Sequence, residues 1–469
     1  MATPGMVLAT PRVRGSHGRH ARRRRRGWLP WAVLGVAVLL AGAVAAVAAT
    51  RINQPLAHPA THSALPTELS VHGTGPALPW PTRGQGAVEV PSLGYADQSG
   101  PEPSVPIASL TKMTNAVAIL RDHPLPAGAA GPSITVTTAD VAEYDNELHN
   151  DESTIPIRFG EVLSERQMLE AMLIVSANDI AYSLAVWDAG SELAFVAKMN
   201  ALATSLGATG THYVDASGYE SGSVSTASDC LRIAAAGMAD PSFAEVVAMP
   251  SVTLPMVGTL PNIVTEVGSN GVVGVKSGYT SQAGACLILA GVRSVQGRPV
   301  LVLAAVLGQP TPPPIVPAST TTTTRPATAP PSNGSGTTTT TTPPTDLQIP
   351  DPFRFTRPVV EKLLGAAEAA VVPVTVATAD QVVGAVTVTW GGSAHPAPIV
   401  TAGGAWLMAW PGQTVASTSG LSPVPPGSTK GSRVGTAMFS LGTQIEVVPL
   451  RLASTVPEPS WWWRLVHGP

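Results

Sequence analysis

Three short clusters in this sequence place hydroxyl, amine and amide side chains at spacings that suit nucleophilic chemistry. Ser109-Leu110-Thr111-Lys112 is the one Ser-x-x-Lys in the 469-residue chain. On a helix, residues three apart share a face, so the hydroxyl and the amine can touch. A serine hydroxyl needs a base to become a nucleophile, and a lysine serves when burial and a neighbouring cation keep it neutral. A helix start at Ser109 also brings backbone N–H groups and the positive end of the macrodipole to any negative charge that develops there. A helix-start serine beside a surface lysine would spell the same four letters.

Ser176-Ala177-Asn178 is the one Ser-x-Asn and interrupts apolar sequence, AMLIV before it and IAYSLAVW after it. Polar groups in such a place are costly unless partnered. The alternative is a helix cap, with Asn178 or Asp179 serving the second helix. Lys276-Ser277-Gly278 ends the apolar run VVGV. There a cation and a hydroxyl suit a substrate carboxylate, and Gly278 lets a peptide backbone add itself to a strand edge. A surface turn is the plainer reading. The chain has five lysines, and two of them, Lys112 and Lys276, fall in these clusters.

The elements that must position these groups can be read from the flanking patterns. IASLTKMTNAVAILRDH sets Leu110, Met113, Val117 and Leu120 on one face of a buried helix. Ser164 with Gln167 forms a capping-box pattern before MLEAMLIV, and a further helix from about Glu192 presents Val196, Met199, Leu202 and Leu206 before Gly207 closes it. VVGVKSGYTS, ACLILAGVR and PVLVLAAVLG are apolar runs joined by short turns, a signal for an antiparallel sheet. The fold class is therefore mixed α/β, of the α+β kind, with TRPVVEKLLGAAEAAV as a further helix able to pack back on the sheet.

Composition organises the rest. Eight of the 27 basic residues precede residue 50, where no acid occurs, leaving 19 basic against 30 acidic side chains in the body. That balance argues against a nucleic-acid-binding surface. The Arg-rich segment 1–27 is followed by an uncharged apolar stretch, 28–50, long enough to cross a bilayer. The expectation is a cytoplasmic N-terminus, a single-pass anchor and an extracytoplasmic body, or a secreted body if the stretch is a cleaved signal peptide. Residues 51–81 read as a Pro-rich tether and 82–370 as the α/β domain, with a disordered Thr/Pro-rich insertion at 310–345. Residues 371–456 carry short strand patterns of a β-rich domain, and 457–469 form a Trp-rich tail that caps this module or sits in a membrane interface. Cys230 and Cys286 read as buried free thiols rather than a disulfide, and neither has the spacing of a metal site. No cofactor is expected.

The three clusters occur in the order Ser-x-x-Lys, Ser-x-Asn, Lys-Ser/Thr-Gly, the set used by penicillin-binding proteins and class A β-lactamases. With PIASLTKMTNA, LIVSANDIAYSLA, GSELAFVAKMNALATSLGATGTHYVDASGY and VGVKSGYTSQAGACLILAGVR, the stretch from about Gly84 to Gly308 resembles the D-alanyl-D-alanine carboxypeptidases of the low-molecular-mass penicillin-binding proteins, serine peptidase family S11. The resemblance implies a β-lactamase/transpeptidase-like fold, peptidoglycan stem peptides as substrate and β-lactams as inhibitors. It implies that Lys112 takes the Ser109 proton, Ser176 relays a proton to the leaving amine, and Asn178 positions the substrate amide and Lys112. Lys276, Ser277 and Gly278 would bind the terminal carboxylate side, and the N–H groups of Ser109 and Tyr279 would form an oxyanion hole. Ser277 departs from the family's more frequent Thr but keeps the hydroxyl. A D,D-endopeptidase would use the same residues. A β-lactamase would need a deacylating Glu in an E-x-x-L-N loop, a motif that does not follow Ser176, and the intact clusters speak against a non-catalytic wall-peptide binder.

Overall fold

A computed structural model describes residues 28–313, 321–324, 338–341, 351–390 and 395–467. The Arg-rich segment 1–27 and most of the expected disordered insertion 310–345 lie outside these residues. Within the insertion, Thr321–Thr324 pairs antiparallel with Thr338–Thr341. Extended pairing suits β-branched threonine.

The centre of the α/β portion is a five-stranded antiparallel sheet in the spatial order Val272–Thr280, Gly284–Val295, Arg298–Gln309, Gln85–Val90, Tyr95–Gln98. The turn between Val295 and Arg298 has Gln296 and Gly297 both at positive φ, the conformation a tight two-residue hairpin requires. Alternation along the strands divides the core. Ile288, Ala290, Leu303 and Ala305 face one cluster, which includes Met113, Leu184 and Phe243 from the helices. Leu287, Leu289, Val302 and Ala304 face the other, which includes Val360, Leu363 and Ala367. The latter residues belong to the helix Arg357–Ala370, which packs on the sheet. The central strands are buried on both faces because helices cover both sides, and so they read as continuous apolar runs rather than alternating ones.

The helices form as their ends dictate. Ser164 Oγ accepts from the Gln167 N–H at 3.2 Å, and Gln167 Oε1 accepts from the Ser164 N–H at 2.9 Å, so the expected capping box starts the helix Glu165–Ile174. The helix Glu192–Ser205 is followed by Gly207 at φ +75°.

A seven-stranded antiparallel sheet occupies the C-terminal portion, with Ala60–Ser63 and Glu68–Ser70 as its two outer strands. These lie inside 51–81, which the sequence presents as a tether, so the structure corrects that reading. An outer strand needs only backbone N–H and C=O groups to join a ladder, and such pairing leaves no hydrophobic period in the sequence. Ahead of it, Leu29–Asn53 forms a 25-residue helix with no buried residue, about 37 Å long at the usual rise and sufficient to span a bilayer. The tail forms the helix Trp461–His467. Its Trp463 meets Trp390 edge-on at 5.4 Å, while Trp461 and Trp462 are 63% and 59% exposed. The tail also touches the apolar helix, with Arg51 Nη1 donating to Leu465 O and Arg464 Nη1 to Ile52 O, both at 3.3 Å.

Candidate active site

Ser109 sits in a 3-10 turn, Ala108–Leu110, immediately before the helix Thr111–Asp122. The turn begins with Ala108 at φ +49°, a conformation that needs support from its surroundings. The support comes from two glycines. A Cβ on Gly218 would lie 1.9 Å from Ala108 O, and one on Gly278 would lie 2.9 Å from both Ile107 O and Ser109 N. The loop at 218 and the strand Val272–Thr280 therefore press directly on the backbone that carries Ser109.

Lys112 is fully buried one turn below it. Its Nζ donates to Ser109 Oγ at 2.9 Å, to Asn178 Oδ1 at 2.5 Å and to Ser217 O at 2.9 Å. Burial drives the Lys112 pKa from 10.5 down to about 8, against the carboxylates of Asp215, Glu147, Glu152 and Asp179, which favour the charged form. A neutral Lys112 is thus accessible near neutral pH. Lys276 is equally buried and donates from Nζ to Ser176 Oγ at 3.0 Å. Its pKa falls well below the usual lysine value through burial, with repulsion from Lys112 adding to the effect.

Asn178 is the first residue of the helix Asn178–Ala189, which lacks a side-chain cap. Its amide is turned instead across the interior, to Lys112 through Oδ1 and to Glu152 Oε2 through Nδ2 at 2.6 Å. The helix-cap alternative therefore does not describe it. Ser176, two residues earlier, adopts φ +65° where the preceding helix ends.

A cavity of about 410 Å³ opens above these groups, with Ser109, Asn178, Glu152, Tyr219, Tyr279 and Thr280 in its walls. Lys112, Ser176, Lys276 and Ser277 are buried beside those wall residues. Among the described residues, the strand Val272–Thr280 is the outermost of its sheet and pairs on one side only, with Gly284–Val295. Its other edge is free to take an extended peptide. Tyr279, 43% exposed, lies at that end of the strand. The arrangement can deprotonate a serine, hold an anion near two lysines and bind a peptide backbone along an edge.

The spacing arguments missed several members of the site. Asp215 Oδ2 accepts the N–H groups of Gly218 and Tyr219 at 2.7 and 2.8 Å, and its Oδ1 accepts the Ser223 hydroxyl, which fixes the loop that presents Ser217 O to Lys112. Glu152, Glu147 and Asp179 complete the acidic surroundings. Burial raises Glu147 to about 9, with Asp179 and Glu152 adding repulsion, and raises Asp179 to about 7. Asp215 lies within a sequence block already noted, DASGY, whereas Glu152 has no local motif. Among the described residues no cluster of His, Cys, Asp and Glu could hold a metal ion, and Cys230 and Cys286 are free and buried.

Residues 97–311 match the sequence model of a family described as D-alanyl-D-alanine carboxypeptidase, Peptidase S11. Over 181 residues the chain is 35% identical to a D-alanyl-D-alanine carboxypeptidase of Mycobacterium tuberculosis, covering 37% of this chain and 60% of that one. Over 198 residues it is 31% identical to a D-alanyl-D-alanine endopeptidase of Pseudomonas aeruginosa, covering 40% of this chain and 60% of the relative. The match thus spans 60%, less than two thirds, of either relative. Penicillin binding protein 5 from Haemophilus influenzae shares the fold, with a TM-score of 0.52 at 18% identity over 82% of this chain and all of that one.

Proposed function

We propose that the protein is a serine-type D-Ala-D-Ala carboxypeptidase that trims peptidoglycan stem peptides, a reading supported by the match of residues 97–311 to the D-alanyl-D-alanine carboxypeptidase family model. The observation that carries the reading is the hydrogen bond from a buried, pKa-depressed Lys112 to the hydroxyl of Ser109. Neutral Lys112 takes the Ser109 proton as Oγ attacks the carbonyl of the penultimate D-Ala, and the N–H groups of Ser109 and Tyr279 hold the developing oxyanion. As the C–N bond breaks, Ser176 passes a proton to the leaving D-Ala amine, and its contact with Lys276 ties that relay to the group that binds the terminal carboxylate. Ser277 adds a hydroxyl to that carboxylate, and Gly278 lets the strand lie directly against the Ser109 turn. Water then hydrolyses the ester, releasing the shortened peptide and free Ser109. β-Lactams acylate the same oxygen.

The apolar helix Leu29–Asn53 suits a single-pass anchor that leaves the body on the extracytoplasmic face of the cell membrane. An endopeptidase reading is favoured by the Pseudomonas relative's name. It uses the same acyl-enzyme and differs in whether the leaving amine is a free D-Ala or a cross-linked side chain.

The test is to expose the full-length protein and Ser109→Ala to a fluorescent penicillin, a D-Ala-D-Ala pentapeptide and a cross-linked dimer. The expected result is labelling and D-Ala release by the first protein alone. Absence of both from the unmutated protein would refute the proposal, and preferential cleavage of the dimer would replace it with the endopeptidase.

A further inference from the structure

The amide of Asn178 has two chemically opposite ends, and the structure holds both. Oδ1 accepts from Lys112 at 2.5 Å, while Nδ2 donates to Glu152 Oε2 at 2.6 Å. A carboxylate only accepts, so Glu152 recognises the NH₂ end and keeps the oxygen aimed at Lys112. The flipped amide would set one donor against another at Lys112 and an oxygen against the carboxylate. Near Glu152, the same loop holds the start of the Asn178 helix through its backbone. The Asn178 N–H donates to Ser153 O at 2.7 Å, and Asp179 Oδ1 accepts from the Ile155 N–H at 3.2 Å. The loop itself is joined to the opposite cavity wall by Tyr219 Oη, which donates to Asn150 O at 3.4 Å.

We infer that Glu152 is a positioning residue for acylation, locking the Asn178 amide so that Lys112 is held against Ser109. The inference rests on the acyl-enzyme reading above. Nothing in the spacing of the three motifs points to Glu152, which lies 26 residues before its partner and outside all of them. It also acts on Lys112 through charge. The groups facing that amine are Glu147 from the helix Thr138–His149, Glu152 from the loop after it, Asp179 from the helix Asn178–Ala189, Asp215 from the loop at 215–223, and Lys276 from the strand. Removing one carboxylate from this set weakens the hold of Lys112 on its proton.

Two effects follow that a purely architectural residue would not separate. Glu152→Gln keeps an acceptor for Asn178 Nδ2 and loses the charge, whereas Glu152→Ala loses both. The measurement is the acylation rate of the full-length protein by fluorescent penicillin between pH 5 and pH 10, with acyl-enzyme lifetime and melting temperature followed alongside. At the high-pH plateau, Glu152→Ala should acylate about 10- to 100-fold more slowly, while Glu152→Gln recovers to within about threefold. In both variants the acid limb should move to lower pH, because neutral Lys112 appears earlier.

An unchanged plateau and an unchanged acid limb in Glu152→Ala would overturn the inference, while the labelling of the unmutated protein leaves the acyl-enzyme reading standing. Normal acylation with a long-lived acyl-enzyme would also overturn it and assign Glu152 to hydrolysis of the ester. Equal plateau losses in Gln and Ala, matched by equal losses of melting temperature, would reduce Glu152 to a structural role. If the unmutated protein is not labelled at all, the failure belongs to the proposed function.

Discussion

Lys112 is the residue whose chemistry is set most tightly by its surroundings. Burial removes water from its ammonium and pulls the pKa to about 8, while neighbouring acidic groups, Asp215 foremost, hold it from falling further. As a base it must be unprotonated, so acylation of Ser109 should rise with pH and half-saturate near pH 8, read by stopped-flow labelling with penicillin. Lys112→Arg should lose on the order of 1000-fold or more at every pH, because a guanidinium does not deprotonate in this range. A variant as fast as the original would mean that another group takes the Ser109 proton. Lys276, with its pKa also depressed, differs in what it touches. It donates to Ser176 rather than to Ser109, consistent with the proposed division of the site into a relay and carboxylate side and a nucleophile side.

At the scale of elements, the site is a junction of a turn, a helix start, a loop and a strand edge. The strand Val272–Thr280 approaches the Ser109 turn so closely that residue 278 has no room for a side chain. Gly278→Ala must push the strand or the turn by several tenths of an ångström. We expect acylation to fall about 100-fold, since displacement on this scale separates the reacting groups, and stability to drop by about 1–3 kcal/mol from overpacking. Paired denaturant titrations and labelling rates check both numbers, and an alanine variant with native rate and stability would show that the contact yields easily. The same elements explain how much of the site could be read from sequence. Ser109 and Lys112 share a helix turn, so their i,i+3 spacing survives in the chain, as does the capping box of Ser164 and Gln167. Glu152 and Asp215 reach the site from loops, where the chain follows its neighbours and no period records the destination.

For the whole molecule, the stretch between the apolar helix and the α/β portion is part of the architecture. Ala60–Ser63 and Glu68–Ser70 close opposite sides of the seven-stranded sheet. A protein beginning at residue 54 should leave the membrane fraction and keep its melting temperature and penicillin labelling. One beginning at residue 82 loses both outer strands and exposes the edges of Val382–Val388 and Thr414–Leu421, so it should melt several degrees lower and aggregate more readily. Fractionation and thermal melts of the two proteins distinguish these outcomes. Equal stability would return residues 54–81 to the role of a simple tether.

The chain read alone shows the order and spacing of Ser109, Lys112, Ser176, Asn178 and Lys276, the mixed α/β class, the hairpins of the central sheet and the apolar helix near the N-terminus. Each of these is written in local spacing, period or composition. Tertiary structure alone decided that Lys112 is dry enough to lose its proton near pH 8, that Asn178 turns away from its own helix toward Lys112 and Glu152, and that residues after the apolar helix become edge strands. These outcomes depend on desolvation and on partners between 26 and several hundred residues away, and a linear pattern carries no record of such distances.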